Sequence, residues 1–508
     1  MIYLIHKNNV ALKILDDKLN EIAFTIQPSI TVTLFDLAKK FPEELILWCH
    51  EVYVAFINKS EISTIFHHER ILASYSVSGK YYISEDIGYI SQSVFVNVNR
   101  EVTYPTWLMS DNIGGVSAQF LNSVSKEIKK HDNFDYFINS MAKLAMPQGL
   151  YCYSEPKLLK EKPAVLVEDQ QASKCELFKF VKQHYKWVWV WILAVCYGIY
   201  ARKIVLFQVF KTIFYKRLHL DIKEINLQST KKVVAKMEID VIIPTIGRKK
   251  YLYDVLKYLS NQTLLPKNVI IVEQNPLPES VSELDFLNTE IWPFNIKHTF
   301  THKTGVCNAR NLALSQIESE WVFLNDDDNM FDENLMETVF NKAKQYGIVA
   351  ITTAYLQQGE TLLFNQLHQT GIFGSGNSFV KTDYLNKVCF NMALEFGYGE
   401  DFDFGMQLRN QGVDIVYCPD IKITHLKAPF GGFRTKVKQL WDDEVIQPKP
   451  SPTIMYTFLK HYTLKQILNY KLVLFLRLIK KESIFNYSNF FKEFQNKWNA
   501  SLYWAKKL

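Results

Sequence analysis

Trp321-Val322-Phe323-Leu324-Asn325-Asp326-Asp327-Asp328-Asn329 is the stretch from which the fold of this chain is read. Four apolar, strand-forming residues lead into three adjacent carboxylates, and Phe331-Asp332-Glu333 then opens a helix-like pattern. Three acids side by side at the end of a buried strand repel one another unless a cation neutralises them. The arrangement reads as a hard-cation site at the carboxyl edge of an α/β sheet, where such folds place their ligands. Mg²⁺ and Mn²⁺ both favour carboxylate and phosphate oxygens, so a nucleoside diphosphate is the natural partner. A lone aspartate triplet also fits an acidic turn capping the next helix. The neighbouring stretches decide against that plainer reading.

Upstream, Ile239–Ile243 reads as a strand, Pro244-Thr245-Ile246-Gly247-Arg248 as a turn, and residues 252–262 as an amphipathic helix. Val269–Val272 is a second strand, ending at Glu273-Gln274-Asn275-Pro276. Such βαβ alternation makes a parallel sheet whose loops gather at one edge. Glu273 is placed there to accept a hydrogen bond from a nucleobase or ribose. Gly305-Val306-Cys307-Asn308-Ala309-Arg310-Asn311 is a glycine turn into a helix, with an arginine one turn in. Arg310 either bonds phosphate or braces the aspartates. Downstream stand Gly397-Tyr398-Gly399-Glu400-Asp401-Phe402-Asp403-Phe404 and, after the strand-like run Ile421–Thr424, His425. As ordinary structure, Glu400, Asp401 and Asp403 cap a helix and His425 is a satisfied strand-end histidine.

These four elements, in this order and spacing, resemble the family 2 glycosyltransferases over residues 237–434. The resemblance implies a GT-A-type nucleotide-sugar-binding domain with a mixed, mostly parallel sheet. Asp326-Asp327-Asp328 is similar to the family's DXD motif, whose last acid binds the metal on the donor diphosphate. Glu400-Asp401 is similar to its ED motif, whose aspartate is the general base. The implied metal set is Asp326, Asp328 and His425, holding Mn²⁺ or Mg²⁺. The implied donor set is Pro244, Thr245, Arg248, Glu273, Arg310, Asp326 and Asp327. Gly374-Ser375-Gly376-Asn377 resembles the small-residue strand beside the acceptor cleft, and Lys427 and Arg434, around Gly431-Gly432, a loop gripping the diphosphate. Glu273 stands where an aspartate is commoner, and Gln274 and Asn275 replace the usual acid and serine. UDP is the expected nucleotide, with GDP and dTDP open.

The rest of the chain frames that segment. Residues 1–170 alternate strands (Ile2–Ile5, Leu45–Trp48, Val52–Ile57, Val94–Val98) with a helix over Thr33–Lys40. They read as an α/β domain whose element order loosely repeats the one downstream, without its acids. Glu85-Asp86 and Asp111 read as turn and cap residues. Residues 171–236 are a basic, Trp-rich helical linker. Its apolar run from Trp187 to Ala201 is shorter than the roughly 20 residues a spanning helix needs. Lys174, Lys179, Lys182, Lys186, Arg202, Lys203, Lys211, Lys216 and Arg217 accompany a single acid, Glu176. An interfacial membrane helix and a buried hairpin both fit. Residues 435–508 form a basic helical tail, expected to pack against the enzyme.

A net charge of +6 is too mild to imply nucleic acid, and no nucleic-acid partner is expected. Seven scattered cysteines without a CxxC argue for a reducing compartment and against a zinc module. The short apolar start, Met1–Ile5, does not fit a signal peptide. The expected location is cytoplasmic, peripheral on the inner face of an anionic membrane. The expected activity is metal-dependent, inverting transfer of a sugar to a hydroxyl of a glycan or lipid-linked acceptor in polysaccharide or glycolipid synthesis. Two other classes stay open: a non-catalytic nucleotide-sugar-binding or scaffold protein, and a nucleotidyltransferase. The ED pair argues against the first, and the absence of a glycine- and lysine-rich triphosphate loop at Pro244–Arg248 against the second.

Overall fold

A computed structural model describes the chain except for residues 92–96, 168–169, 223–226, 430–436 and 481–486. The expected strand at Val94–Val98 therefore falls largely outside the described residues, as do Gly431, Gly432 and Arg434. The chain divides into two compact units, residues 1–231 with 463–472, and residues 232–462 with 473–508. Four consecutive segments were expected. The basic stretch after residue 171 is no free linker, because its helices contribute to the apolar core of the first unit.

The first unit contains strands β1 (Ile2–Lys7), β2 (Val10–Leu15), β3 (Leu45–His50), β4 (Ile71–Tyr75), β5 (Tyr104–Pro105), β6 (Ile113–Ser117) and β7 (Tyr151–Ser154). They form one sheet in the order β2-β1-β3-β6-β4-β7-β5. β1 and β3 are parallel, β6 runs antiparallel between β3 and β4, and β7 lies parallel to β4. Alternation along each strand feeds two cores: Ile2, Leu4, Ile46 and Trp48 enter one, Tyr3, Ile5, Leu47 and Cys49 the other. Helices α1 (Ile30–Lys40), α2 (Lys59–Ile65), α3 (Ala118–Val124) and α4 (Phe134–Ala145) cover the sheet, followed by α5 (Lys174–His184), α6 (Val188–Ile199) and α7 (Leu206–Lys211). Val52–Ile57, expected as strand, is instead a 3₁₀ turn over Glu51–Phe56. The His50 ring accepts a hydrogen bond from the Val52 N–H at 3.4 Å, which ends the extended chain there.

The second unit is built on β8 (Ile239–Thr245), β9 (Asn268–Gln274), β10 (Asn295–Thr301), β11 (Trp321–Asn325), β12 (Asn329–Met330), β13 (Ala350–Gln357), β14 (His368–Thr370), β15 (Asn377–Lys381) and β16 (Ile415–His425). Its sheet order is β10-β9-β8-β11-β15-β13-β16-β12, with β14 also on β16. β10, β9, β8 and β11 are parallel, β15 is antiparallel, and β13 and β16 run parallel to each other. This is the expected mixed, mostly parallel sheet. Helices α8 (Lys249–Ser260), α9 (Phe286–Thr289), α10 (Val306–Leu314) and α11 (Leu335–Tyr346) connect the early strands, and α12 (Glu400–Arg409) precedes β16. Every residue of β11 is buried, and Phe323 stacks on Phe379 of β15 with centroids 4.1 Å apart. Such a pair contributes about 0.5–1.5 kcal/mol beyond its area. The helix after the acids starts at Leu335 and not at Phe331. Asn329 and Met330 are held extended by pairing with His425 and Thr424 of β16.

The tail supplies α13 (Pro452–His461), α14 (Leu464–Ile479) and α15 (Tyr487–Ala505). Within the second unit, α13 packs against α12. Buried Asp403 accepts hydrogen bonds from Lys460 Nζ at 2.7 Å and from His461 Nε2 at 2.6 Å. The helix that opens with Glu400-Asp401 is thus anchored by the tail.

Candidate active site

The site assembles at the carboxyl ends of β8 and β11. Asp327 points under the β8 turn, where the Thr245 hydroxyl donates to its Oδ2 at 2.7 Å and Arg248 Nη1 to its Oδ1 at 2.7 Å. Burial pushes the Asp327 carboxyl up to about 6, against the pull of Arg248 and Thr245. The middle aspartate thus ties the two parallel strand ends together. Asp326 accepts from Arg310 Nη2 at 2.9 Å and from the Tyr355 hydroxyl at 3.1 Å. Arg310 is buried on α10 and lies over the Phe390 ring. Arg310 thus contacts an aspartate here, the second of the two arrangements expected for it. Two arginines of the protein, Arg248 and Arg310, supply much of the positive charge that the triplet demands.

Asp328 is buried and turned toward β16. Its Oδ2 accepts from the Ala428 N–H at 2.8 Å and from Arg248 at 3.3 Å. Its Oδ1 faces His425 Nε2 at 3.4 Å and has no hydrogen-bond partner. Burial alone would raise the Asp328 carboxyl, but His425 and the Ala428 N–H hold it below its ordinary value, and Asp328 in turn raises His425. One ligand atom each from Asp326, Asp328 and His425 lies within 4.8 Å of the others. The short β12–β16 pairing closes the long sequence gap between them, and Tyr355 stacks on the His425 ring at 4.7 Å. Two carboxylates and an imidazole suit Mn²⁺, and Mg²⁺ with more water ligands. The buried Oδ1 of Asp328, which accepts no hydrogen bond and faces the His425 ring, belongs to a set that fits a cation.

Glu400 and Asp401 open α12. Asp401 Oδ1 accepts from the Ser375 N–H at 3.1 Å and from the Ser375 hydroxyl. A helix N-terminus by itself favours the ionised form of a carboxylate. Burial dominates instead, raising Asp401 and pushing Glu400 up to about 7 with help from the neighbouring Asp401 charge. An ionised carboxylate on either residue opposes ionisation of the other. Next to Ser375, Gly376 is pressed against the aspartate triplet: a Cβ there would lie 2.2 Å from Asp326 Oδ2. The turn at 375–376 therefore touches the candidate base on one side and the candidate metal ligand on the other.

Glu273 is placed at the edge as expected, but its carboxylate is already engaged. Ser282 Oγ donates at 2.5 Å, His298 Nε2 lies at 2.9 Å and the Glu283 N–H donates at 3.1 Å. Burial works to raise it, and these bonds outweigh burial and leave it below its ordinary value. Pro244 lies in β8 beside Thr245, and its neighbour across the sheet is Val272. Lys427 is exposed just beyond His425.

Two residues here, Tyr355 and Glu395, were not anticipated, and the small-residue stretch at Ser375-Gly376, expected as strand, is a turn leading into β15. Tyr355, on β13, bonds both Asp326 and Asn329. Ser375 holds Asp401. Glu395 accepts from the backbone N–H groups of Cys307 and Asn308 at 3.0 and 2.8 Å, satisfying the start of α10. Gly305, at φ 130°, is where a Cβ would strike Glu395, so the glycine and that acid were readable only as a pair. Gln274, unusual at its position, accepts from the Gly305 N–H at 2.6 Å.

Residues 240–398 match the family model described as Glycosyl transferase family 2. A curated relative, Glycosyltransferase GlyG of Streptococcus pneumoniae serotype 4 (strain ATCC BAA-334 / TIGR4), is 22% identical over 123 residues. That match covers 24% of this chain and 40% of the relative, well under half of its length. Among solved structures, S. aureus TarS 1-349 in complex with UDP-GlcNAc is 17% identical, with a TM-score of 0.34, covering 46% of this chain and 70% of that one. GalNAc-T7 with UDP, GalNAc and Mn2+ is 10% identical, with a TM-score of 0.38, covering 52% and 56%. The chain carries a family 2 glycosyltransferase domain over residues 240–398.

Proposed function

We propose that the second unit transfers a sugar from a UDP-linked donor to a hydroxyl of a glycan or lipid-linked acceptor, inverting the anomeric centre. The observation that carries this reading is the 375–376 turn, which touches Asp326 of the Asp326, Asp328 and His425 cluster on one side and Asp401 of the half-buried Glu400-Asp401 pair on the other. A donor diphosphate and an acceptor hydroxyl need those two chemistries within one sugar ring of each other. Ionised Asp401 accepts the proton of the acceptor hydroxyl as its oxygen bonds to the anomeric carbon and the bond to the diphosphate oxygen breaks. One displacement from the opposite face inverts that carbon. Asp326, Asp328 and His425 would hold a divalent cation, which when bound neutralises charge on the departing diphosphate. Asp327 keeps Thr245 and Arg248 at the donor edge, and Arg310 keeps Asp326 aimed.

Product identity tests the reading with nucleotide sugars and acceptor glycans. Nucleoside diphosphate release is expected. No product from any donor would leave a binding or scaffold protein, and pyrophosphate would mean nucleotidyl transfer.

The proposed setting is the inner face of an anionic membrane, supported by the surface of α6. Trp187, Trp191, Val195 and Ile199 recur every fourth residue and are exposed, while Val190, Leu193, Cys196 and Tyr197 are buried on the other side. Phe207, Phe210 and Phe214 are exposed beyond it, among exposed Lys186, Arg202, Lys203, Lys216 and Arg217. The segment is thus neither a wholly buried hairpin nor a span: among the described residues no helix is long and apolar enough to cross a membrane. Sedimentation with anionic liposomes is expected at low salt, with release at high salt and loss on Trp187→Glu/Trp191→Glu. A chain that stays in the supernatant at low salt contradicts peripheral binding.

A further inference from the structure

The two sheets are copies of one plan. In chain order, β1, β3, β4, β5, β6 and β7 pair with one another as β8, β11, β13, β14, β15 and β16 do. In each set the first two strands are parallel neighbours, and the fifth runs antiparallel between the second and third. The sixth is parallel to the third, and the short fourth is antiparallel on the sixth. Registers then equate positions. Cys49 faces Ile113 at the start of β6, as Asn325 faces Asn377 at the start of β15. His50 therefore stands where Asp326 stands, and Glu51 and Val52 stand for Asp327 and Asp328. Along the first strands, Ile5 faces Cys49 and Leu324 faces Ile242. Asn9 thus stands for Gly247, and the two share left-handed backbones, at φ 63° and 62°.

The acid of the last helix is kept. Asp135 is the second residue of α4, as Asp401 is of α12. Its Oδ1 accepts from the N–H of Asp111, two residues before β6, at 3.2 Å; Asp401 accepts from Ser375, two residues before β15, at 3.1 Å. A narrow cleft of about 20 Å³, deep enough to take a single hydroxyl or water-sized group, lies at this place in the first unit, and Asn9, His50, Asp111, Asn112 and Asp135 are among its walls. These are register equivalents of the candidate active site. His50 is 3% exposed, and its Nε2 has no hydrogen-bond partner, so a buried donor or acceptor is left over at the cleft. Lys80 is exposed at the same cleft.

We propose that the first unit holds a second, non-catalytic ligand site there, binding a neutral saccharide without a divalent cation. Valine in place of the last aspartate and histidine in place of the first remove the cation set, and with it the means to hold a diphosphate. Aspartate, asparagine and imidazole that remain are hydrogen-bonding groups for sugar hydroxyls. The ligand class rests on the reading of the second unit as a glycosyltransferase, whereas the duplicated topology does not.

The test uses the full chain in excess chelator, with glucose, galactose, N-acetylglucosamine and their short oligomers as probes in saturation-transfer NMR. At least one probe is expected to bind, about tenfold or more weaker in His50→Phe. Lys80→Trp, which narrows the mouth from an exposed position, should also weaken it and guards against misfolding of the buried variant. Asp401→Asn should leave this binding intact. Failure of every probe to bind, or binding indifferent to both first-unit variants, overturns the proposal. Nucleoside diphosphate release by the same protein reports separately on the second unit, so the two readings fail independently.

Discussion

Asp401→Asn is expected to bind donor and metal as the parent does while transfer to acceptor falls by about 10²–10⁴, the usual contribution of a general base. Asparagine can keep accepting from the Ser375 N–H, so the change removes proton affinity with little change of shape. The neighbour gives the contrast. Glu400→Gln should retain most of kcat but move its acid limb, because Glu400 and Asp401 raise each other. In the parent the rate should fall at low pH, as the raised Asp401 carboxyl takes up its proton. Without the Glu400 charge that fall should come at lower pH. The sign for stability is opposite. A carboxyl raised from 4.5 to about 7 on folding stabilises the fold fully below the lower value, and that contribution is lost as pH rises through the upper one. A parental rate for Asp401→Asn beside a dead Glu400→Gln would assign the base to Glu400.

Asp328→Ala should abolish both activity and the metal dependence of donor binding. It removes the one ligand that His425, Arg248 and the Ala428 N–H all converge on. Three adjacent acids suggest that losing one relieves repulsion, but the surrounding bonds point the other way. The buried Ala428 N–H would lose its acceptor and Arg248 one of its two carboxylates. A loss of about 1–3 kcal/mol is expected from stranding such a group. Asp328→Asn, which keeps an acceptor for Ala428, should lose metal-dependent donor binding with less thermal destabilisation. His425→Ala should weaken the metal less severely, since two carboxylates remain. Donor affinity measured calorimetrically with Mn²⁺ and with chelator, on each variant, checks all three. Equal affinity in the parent under both conditions would remove the metal site.

The catalytic unit was legible because its chemistry sits at strand ends. The run before Asp326 is apolar throughout, and Pro244–Arg248, Glu273 and Gly305 mark the other ends of the same edge, so one strand pattern carried both fold and site. Local reading could not tell the three aspartates apart. Their division into a brace for Arg310, an anchor for Thr245 and a partner of His425 depends on β12 pairing with β16, far along the chain. Tyr355 and Glu395 escaped for the same reason: nothing in their own neighbourhoods separates them from ordinary strand and turn residues. Val52–Ile57 misled because its β-branched composition outvoted a single cap from His50. The first unit shows the limit in another form. Its order of elements hinted at repetition, but the acids that announce the plan in the second unit are replaced by His50 and Val52, and only strand register relates them.

The most direct test of the account is nucleoside diphosphate release from a nucleotide sugar by the full chain, measured with Mn²⁺ and then with excess chelator, for the parent and Asp401→Asn. The account predicts release that requires the cation and nearly disappears in Asp401→Asn while donor still binds. Release unchanged by chelator, or unchanged by Asp401→Asn, would contradict it.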